Sequence, residues 1–138
     1  MVVVDVGANL GAHTLLDAKL VGTEGAVHAY EPQRLVFQML CANVALNALD
    51  NVFCRQEAVG DSAGTVLLGT PDPDTVQNFG GYSLADLTLA GGEAVRVGLL
   101  DVDCHFLKID VEGMEVEVLT GAAGMIRRCR PLMYVEND

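Results

Sequence analysis

The chain has 138 residues, 51% of them apolar, and a net charge of −11 with only 8 Lys plus Arg. A chain of this length is expected to fold as one domain, residues 1–138, whose core needs no disulfide bonds. The charge argues against a nucleic-acid partner, because affinity for nucleic acid comes largely from neutralising phosphates. No apolar run approaches the roughly 20 residues that span a bilayer, and the first residues are not typical of a signal peptide. We therefore expect a cytoplasmic protein with no membrane partner.

The first predicted strand, residues 2–6, leads into a turn with two glycines. Its valines suit a parallel strand covered on both faces, because β-branched side chains pack well on a pleated surface. Asp5 lies at the carboxyl end of the strand, and Gly7 and Gly11 let the backbone turn tightly toward a ligand. Ligands of open α/β sheets bind at this edge. The turn therefore predicts a nucleotide pocket, although a turn that only redirects the chain has the same pattern.

An acidic residue ends the second predicted strand, residues 26–30. Glu31 follows this strand about 20 residues beyond the glycine turn, and Pro32 follows Glu31. A carboxylate at that place can accept hydrogen bonds from both hydroxyls of a ribose. The glycine turn and Glu31 together predict a ligand that carries adenosine.

Two helices are predicted to connect the first three strands. The first covers residues 11–20, and its first turn places His13 and Thr14 where they could touch the polar end of the ligand. For His13, a capping or solvent-facing role is the alternative. The second covers residues 33–47, with Pro32 just ahead of it, where a missing N–H costs little. Its predicted sheet-facing residues are Leu35, Val36, Met39, Leu40, Val44 and Leu46.

The third predicted strand, residues 51–56, ends at Glu57 and Ala58, where the chain could contact an adenine ring. A turn then leads to a short strand, residues 65–68. This strand is expected to pair antiparallel with residues 94–99.

Residues 69–93 contain prolines and several glycines in a span too long for a plain connection. This pattern predicts either a disordered tip or a lid over a substrate. Within it, Asn78, Tyr82 and Ser83 combine an amide, an aromatic ring and hydroxyls. We predict that these three side chains contact the substrate.

The strand predicted over residues 106–111 brings two carboxylates to its tip, Asp110 and Glu112. They are the candidate chemical groups. By the two-residue period of a strand, Lys108 lies on the same face as Asp110, so a structural ion pair is the alternative role for Asp110. A single helix is predicted to open at Glu112 and Gly113 and to end with two arginines.

The last predicted strand covers residues 132–136. Strands that alternate with helices predict a mostly parallel sheet with right-handed crossovers. The four cysteines form no CxxC pair, so their spacing predicts neither a zinc site nor a redox motif. Their apolar neighbours predict small buried side chains in a reducing compartment, and no metal site is expected; these residues are Cys41, Cys54, Cys104 and Cys129.

Five segments that span almost the whole chain resemble the FkbM family of S-adenosylmethionine-dependent methyltransferases. They are DVGANLG at residues 5–11, YEP at 30–32, AVGD at 58–61, NFGGYS at 78–83 and KIDVEGME at 108–115. The DxGxNxG turn and the KIDVEGxE segment are the most specific of them. The resemblance implies an α/β fold with a Rossmann-like class I methyltransferase sheet, mostly parallel and with helices on both faces.

The same resemblance implies a cofactor, S-adenosylmethionine, and a role for each matching residue. The methionine part of the cofactor would be surrounded by Asp5, Gly7, Asn9 and Gly11. Glu31, with Pro32 beside it, would hold the ribose. Asp110 and Glu112 would face the methyl-transfer site, with Asp110 also near the cofactor. Most of the family resembles O-methyltransferases that act on hydroxyls of small molecules or sugars, which implies an acceptor of that kind.

The sequence departs from the usual class I sheet at both ends, which suggests a domain truncated at both ends. No helix precedes the first strand, and no terminal strand pair follows residues 132–136. That strand would then be an exposed edge, and we expect a homo-oligomer formed through it. The departure also suggests an alternative function, a truncated cofactor-binding module without turnover. A second alternative is a NAD-dependent Rossmann oxidoreductase. Against it, Asn9 and Ala12 stand where the dinucleotide fingerprint has its second and third glycines.

Overall fold

A computed structural model describes residues 1–68 and 92–136. The predicted lid lies outside the described residues except for its last two positions, 92 and 93. The three predicted substrate contacts, Asn78, Tyr82 and Ser83, also lie outside them. In chain order the elements are β1 (Val2–Val6), α1 (Ala12–Val21), β2 (Ala26–Tyr30), α2 (Arg34–Leu46), β3 (Val52–Arg55), β4 (Ala58–Val59), β5 (Gly64–Leu68), β6 (Glu93–Gly98), β7 (Phe106–Ile109), α3 (Glu115–Gly121), α4 (Ala123–Cys129) and β8 (Leu132–Val135).

Five strands form a parallel sheet in the order β3-β2-β1-β7-β8. The sequence prediction of an α/β fold with a mostly parallel sheet is confirmed. In the register of this sheet, Val6 of β1 pairs with Tyr30 of β2 on one side and with Ile109 of β7 on the other. The carboxyl ends of these three strands therefore meet at one edge, which is where ligands of such sheets bind.

Helices cover both faces of the sheet, as predicted. On one face, Val3 and Val27 pack against Ala18 of α1. On the opposite face, Val4 packs with Val118 of α3 and Met125 of α4. Since neighbouring residues of a strand point to opposite faces, Val3 and Val4 contribute to different cores. The polar side chain of Asp5 lies on the α1 face, because it follows the same alternation as Val3.

A second, smaller sheet has the order β4-β6-β5. Its β5 and β6 strands are antiparallel, as the sequence predicted, and β4 runs parallel to β6. An ion pair between Arg34 of α2 and Glu93 of β6, with Nε 2.8 Å from Oε2, joins this sheet to the amino end of α2.

The prediction of a single helix after β7 is wrong, because the structure has two helices, α3 and α4, that meet at Ala122. The hydroxyl of Thr120 donates to the carbonyl oxygen of Val116 at 2.7 Å, a contact that bends helices. The first of the two helices also starts later than predicted. Glu112 and Gly113 have φ angles of 52° and 88°, which a right-handed helix cannot contain.

The predicted burial of several side chains is wrong. Met39 and Leu46 of α2 are exposed, whereas they were predicted to face the sheet; the buried residues of this helix are Val36, Leu40 and Val44. Of the four cysteines only Cys104 is buried, and the other three are half-buried. Among residues 1–68 and 92–136, no helix is long and apolar enough to cross a membrane.

Candidate functional site

The turn after β1 is packed directly against the end of β7. Gly7 has a φ of 78°, and the backbone N–H groups of Gly7 and Ala8 both donate to the carbonyl oxygen of Tyr30, at 3.1 and 3.0 Å. A Cβ added at Gly7 would overlap the backbone carbonyl oxygen of Asp110. The sequence explained this glycine by close approach to a ligand. The structure gives a further reason, which is the close approach of the neighbouring strand end.

Asn9 joins this turn to the end of β2. Its φ of 51° is left-handed, and its backbone N–H donates to Oε2 of Glu31 at 3.1 Å. Its side-chain Oδ1 accepts the N–H of Leu10 at 2.7 Å, and Asn43 of α2 donates to the carbonyl oxygen of Leu10 at 2.8 Å. The contacts with Glu31 and with Asn43 of α2 thus hold the turn in one conformation.

Glu31 is a buried carboxylate, with 5% of the residue exposed. Its Oε1 accepts the backbone N–H of Gln33 at 2.8 Å, in addition to the Asn9 bond on Oε2. Burial raises the pKa of Glu31 to about 7, although the two backbone hydrogen bonds act in the opposite direction. A carboxylate has about four acceptor positions, so Glu31 keeps acceptor capacity on both oxygens.

A second acceptor lies close to Glu31 in the chain, on Gln33. The side-chain Oε1 of Gln33 is buried, and no residue of 1–68 or 92–136 donates a hydrogen bond to it. An unsatisfied buried acceptor is costly and is found where a ligand or water completes the site. Sequence reasoning missed Gln33. Its place two residues after Glu31, at the cap of α2, is the signal that could have found it.

Asp5 is fully buried, and both of its carboxylate oxygens are engaged by the protein. Its Oδ2 accepts the hydroxyl of Thr14 at 2.5 Å, and its Oδ1 accepts Nζ of Lys108 at 3.0 Å. Thr14 is likewise buried, whereas His13 beside it is exposed. Asp5 and Thr14 therefore stabilise the turn. A direct contact of either one with a ligand stays a prediction.

Lys108 is 4% exposed and holds the end of β7. Its Nζ lies 3.4 Å from Oδ2 of Asp110 and donates to the carbonyl oxygen of Gly7 at 3.1 Å. The ion pair with Asp110 that the sequence left open is present, and Asp5 is a second partner that the sequence did not suggest. A lysine inside an otherwise apolar strand is the signal that a buried partner exists.

Asp110 is anchored and still accessible. Its backbone N–H donates to the carbonyl oxygen of Val6 at 3.1 Å, and its side chain is 30% exposed. After it, Oε1 of Glu115 accepts the backbone N–H groups of Val111 and Gly113 at 3.4 and 3.2 Å, which closes the loop that carries Glu112. Asn9 and Glu112 both have left-handed backbone, with φ angles of 51° and 52°.

Glu57 contacts the smaller sheet, and Ala58 belongs to it. Oε1 of Glu57 lies 3.3 Å from Nε of Arg96, and a Cβ added at Gly98 would overlap this carboxylate. Ala58 is buried in β4. The described residues thus bring Gly7, Asn9 and Glu31 together with Asp110, while the predicted adenine contacts of Glu57 and Ala58 stay predictions.

Comparison with known proteins adds two curated relatives. Hexuronic acid methyltransferase AglP of Haloferax volcanii is 29% identical in an alignment of 129 residues that covers 89% of this chain and 50% of that protein. Methyltransferase sdnD of Sordaria araneosa is 30% identical in an alignment of 156 residues that covers 86% of this chain and 59% of that protein. The chain therefore spans about half the length of the curated relatives it matches.

Two solved structures share the fold. Methyltransferase FkbM from Methylobacillus flagellatus matches with a TM-score of 0.70 at 20% identity, over 96% of this chain and 32% of that one. A protein described as a putative rRNA-methylase from Clostridium thermocellum matches with a TM-score of 0.53 at 16% identity, over 91% of this chain and 51% of that one. The model of the methyltransferase FkbM domain matches residues 5–138. The chain belongs to the FkbM methyltransferase family.

Proposed function

We propose that the chain binds S-adenosylmethionine at the edge where β1, β2 and β7 end, and that it methylates a hydroxyl on a small molecule or sugar. The observation that carries the proposal is the bond from the Asn9 backbone to the Glu31 carboxylate. This bond connects the turn of residues 7–11, which suits the amino acid part of the cofactor, to Glu31, which suits the ribose. When bound, the cofactor supplies an electrophilic methyl group on a sulfonium sulfur.

The residues present fit this cofactor. Glu31 has acceptor capacity for two ribose hydroxyls, and the buried Oε1 of Gln33 adds a further acceptor that a ligand donor would satisfy. The turn of residues 7–11 fits the rival NAD less well. A pyrophosphate needs close backbone approach, which the dinucleotide fingerprint obtains from glycine, whereas Asn9 carries a side chain at that place.

For the acceptor, the proposal rests on Asp110. Its Oδ2 is engaged with Lys108, and Oδ1 of the same partly exposed carboxylate would take the proton of the acceptor hydroxyl. The protein's other contribution is alignment, because an in-line displacement depends on the placement of donor and acceptor. Glu112, in the loop beyond Asp110, is the second candidate carboxylate for the acceptor. A hexuronic acid is a reasonable first acceptor, since one curated relative is named for that substrate.

A thermal-shift titration tests the cofactor. We expect S-adenosylhomocysteine to raise the melting temperature of the chain and NAD to leave it unchanged. The opposite pattern would overturn the proposal in favour of the oxidoreductase. A methyl-transfer assay with glucuronic acid and other sugars then tests turnover. Binding without product from any hydroxyl acceptor would favour the cofactor-binding module instead.

A further inference from the structure

The buried ammonium of Lys108 is shared among three acceptors that belong to two different parts of the site. Nζ lies 3.0 Å from Oδ1 of Asp5 and 3.1 Å from the carbonyl oxygen of Gly7, both on the β1 side. It lies 3.4 Å from Oδ2 of Asp110, on the β7 side. An ammonium group has three N–H donors, and three acceptors surround this one.

This arrangement excludes several roles for Lys108. A lysine that donates two hydrogen bonds, forms an ion pair with a second carboxylate and is only 4% exposed is not placed to bind a substrate anion or to attack a substrate. Its charge is balanced inside the protein by two carboxylates. Lys108 can therefore act only through the groups that it contacts. Two of these groups belong to the proposed sites: Gly7 to the cofactor site and Asp110 to the acceptor site.

We propose that Lys108 is a positioning residue that fixes the carboxylate of Asp110 relative to the glycine turn, and so sets the geometry between acceptor and cofactor. This inference rests on the proposed function, because the geometry matters only if this edge of the sheet binds the cofactor and the acceptor. Backbone contacts already bring the two parts together, since Asp110 donates to Val6 and no Cβ fits at Gly7. Lys108 adds the contacts that backbone pairing cannot supply, one to the Asp110 side chain and one to the Gly7 carbonyl.

The simpler alternative is that Lys108 only neutralises Asp5. Asp5 is fully buried and holds Thr14 at the start of α1, so it needs a positive partner whatever the function of the protein. Lys108→Met alone cannot separate the two readings, because it leaves Asp5 buried without a countercharge and the variant could fail to fold. The pair Asp5→Asn and Asp5→Asn with Lys108→Met separates them, since both lack the buried anion.

The experiment compares these two variants by calorimetric titration with S-adenosylhomocysteine and by amide hydrogen exchange without ligand. We expect the double variant to unfold at a temperature close to that of Asp5→Asn but to bind S-adenosylhomocysteine at least tenfold more weakly. The amides of Gly7 and Asp110 should exchange faster in the double variant. Lys19→Met, a change at an exposed lysine of α1, is the matched control and should alter neither measurement.

Equal affinity and equal exchange in the two Asp5 variants would overturn the inference and leave Lys108 as the countercharge of Asp5. If the parent chain itself does not bind S-adenosylhomocysteine, the proposed function fails. In that case the exchange rates alone decide the inference: faster exchange at Gly7 and Asp110 supports the positioning role, and unchanged exchange overturns it.

Discussion

The backbone N–H of Asn9 donates to Oε2 of Glu31 at 3.1 Å, across the gap between two parallel strand ends. Together with the bonds from the Gly7 and Ala8 N–H groups to the carbonyl oxygen of Tyr30, it fixes the glycine turn of β1 relative to the acid that ends β2. Because the same carboxylate also accepts the N–H of Gln33, the start of α2 is part of the same unit. Glu31 is therefore a support of the site as well as the proposed ribose ligand.

The burial of Glu31 predicts a pH dependence of stability. Its folded pKa of about 7 lies above the ordinary 4.5, so folding favours the protonated form. The contribution to stability is fully present below pH 4.5 and is lost as the pH rises through about 7. Glu31→Gln does not titrate at this position, so its free energy of unfolding minus that of the parent should be about 2 kcal/mol larger at pH 8 than at pH 5.

Urea denaturation of both proteins at the two pH values measures this difference. Glu24→Gln, at an exposed residue, is the matched control and should track the parent. A difference between parent and Glu31→Gln that does not change with pH would contradict the raised pKa.

Two glycine substitutions test the packing of the turn. Gly7→Ala places a Cβ against the backbone of Asp110 at a φ of 78°, whereas Gly22→Ala has a φ of 70° and open space around the new Cβ. Both variants carry backbone strain, because a positive φ disfavours alanine and Gly22, with a ψ of −174°, lies in a region nearly restricted to glycine; only Gly7→Ala also carries the overlap. We expect Gly7→Ala to lower the free energy of unfolding by at least about 2 kcal/mol more than Gly22→Ala, measured by chemical denaturation. Equal losses would mean that the turn and β7 are not in contact.

The sequence was sufficient to place at one edge of the sheet the candidate residues whose position depends on local order along the chain. The glycine turn, Glu31 and Asp110 each follow a buried strand, and parallel strands bring their carboxyl ends together. It was insufficient where the partner is distant or the geometry is specific. Nothing in the spacing indicates that Lys108 meets Asp5, 103 residues away.

Two structural features also depend on contacts that a pattern cannot contain. The division of the last helical segment at Ala122 follows from the Thr120 hydroxyl and from Gly121, whose missing Cβ leaves room for the carbonyl of Gly60. Leu46 fits the helical period for a sheet-facing residue, yet it is the last residue of α2 and is 84% exposed.

Asp110→Asn separates chemistry from binding. The change keeps the shape of the side chain and removes its charge. If Asp110 takes the proton of the acceptor, turnover should fall by roughly 10² to 10⁴, the usual contribution of a general base. Affinity for S-adenosylhomocysteine should stay within a few-fold of the parent. A methylation assay with glucuronic acid, together with calorimetry, measures both quantities. Equal losses would place Asp110 in the cofactor site, and no loss of either would leave Glu112 as the candidate.

The edge strand β8 predicts self-association of the 138-residue chain. Leu132, Met133 and Tyr134 are exposed on both faces of the strand, with Leu132 at 73%. Within residues 1–68 and 92–136, β8 pairs with β7 alone, so its outer backbone groups can join a second copy. Light scattering should show a dimer or larger species, and Leu132→Lys should shift it toward monomer. A parent chain that is monomeric at high concentration would contradict this prediction.

The central claim is that Glu31 holds the ribose of S-adenosylmethionine, and calorimetric titration with S-adenosylhomocysteine tests it most directly. Two charge-assisted hydrogen bonds, each contributing about 1.5 to 3 kcal/mol, would be lost in Glu31→Ala. The account predicts measurable binding by the parent chain and at least tenfold weaker binding by Glu31→Ala at pH 8, with the folded state retained in circular dichroism. Binding of equal strength in both proteins would show that Glu31 contributes nothing to cofactor binding, and would contradict the account.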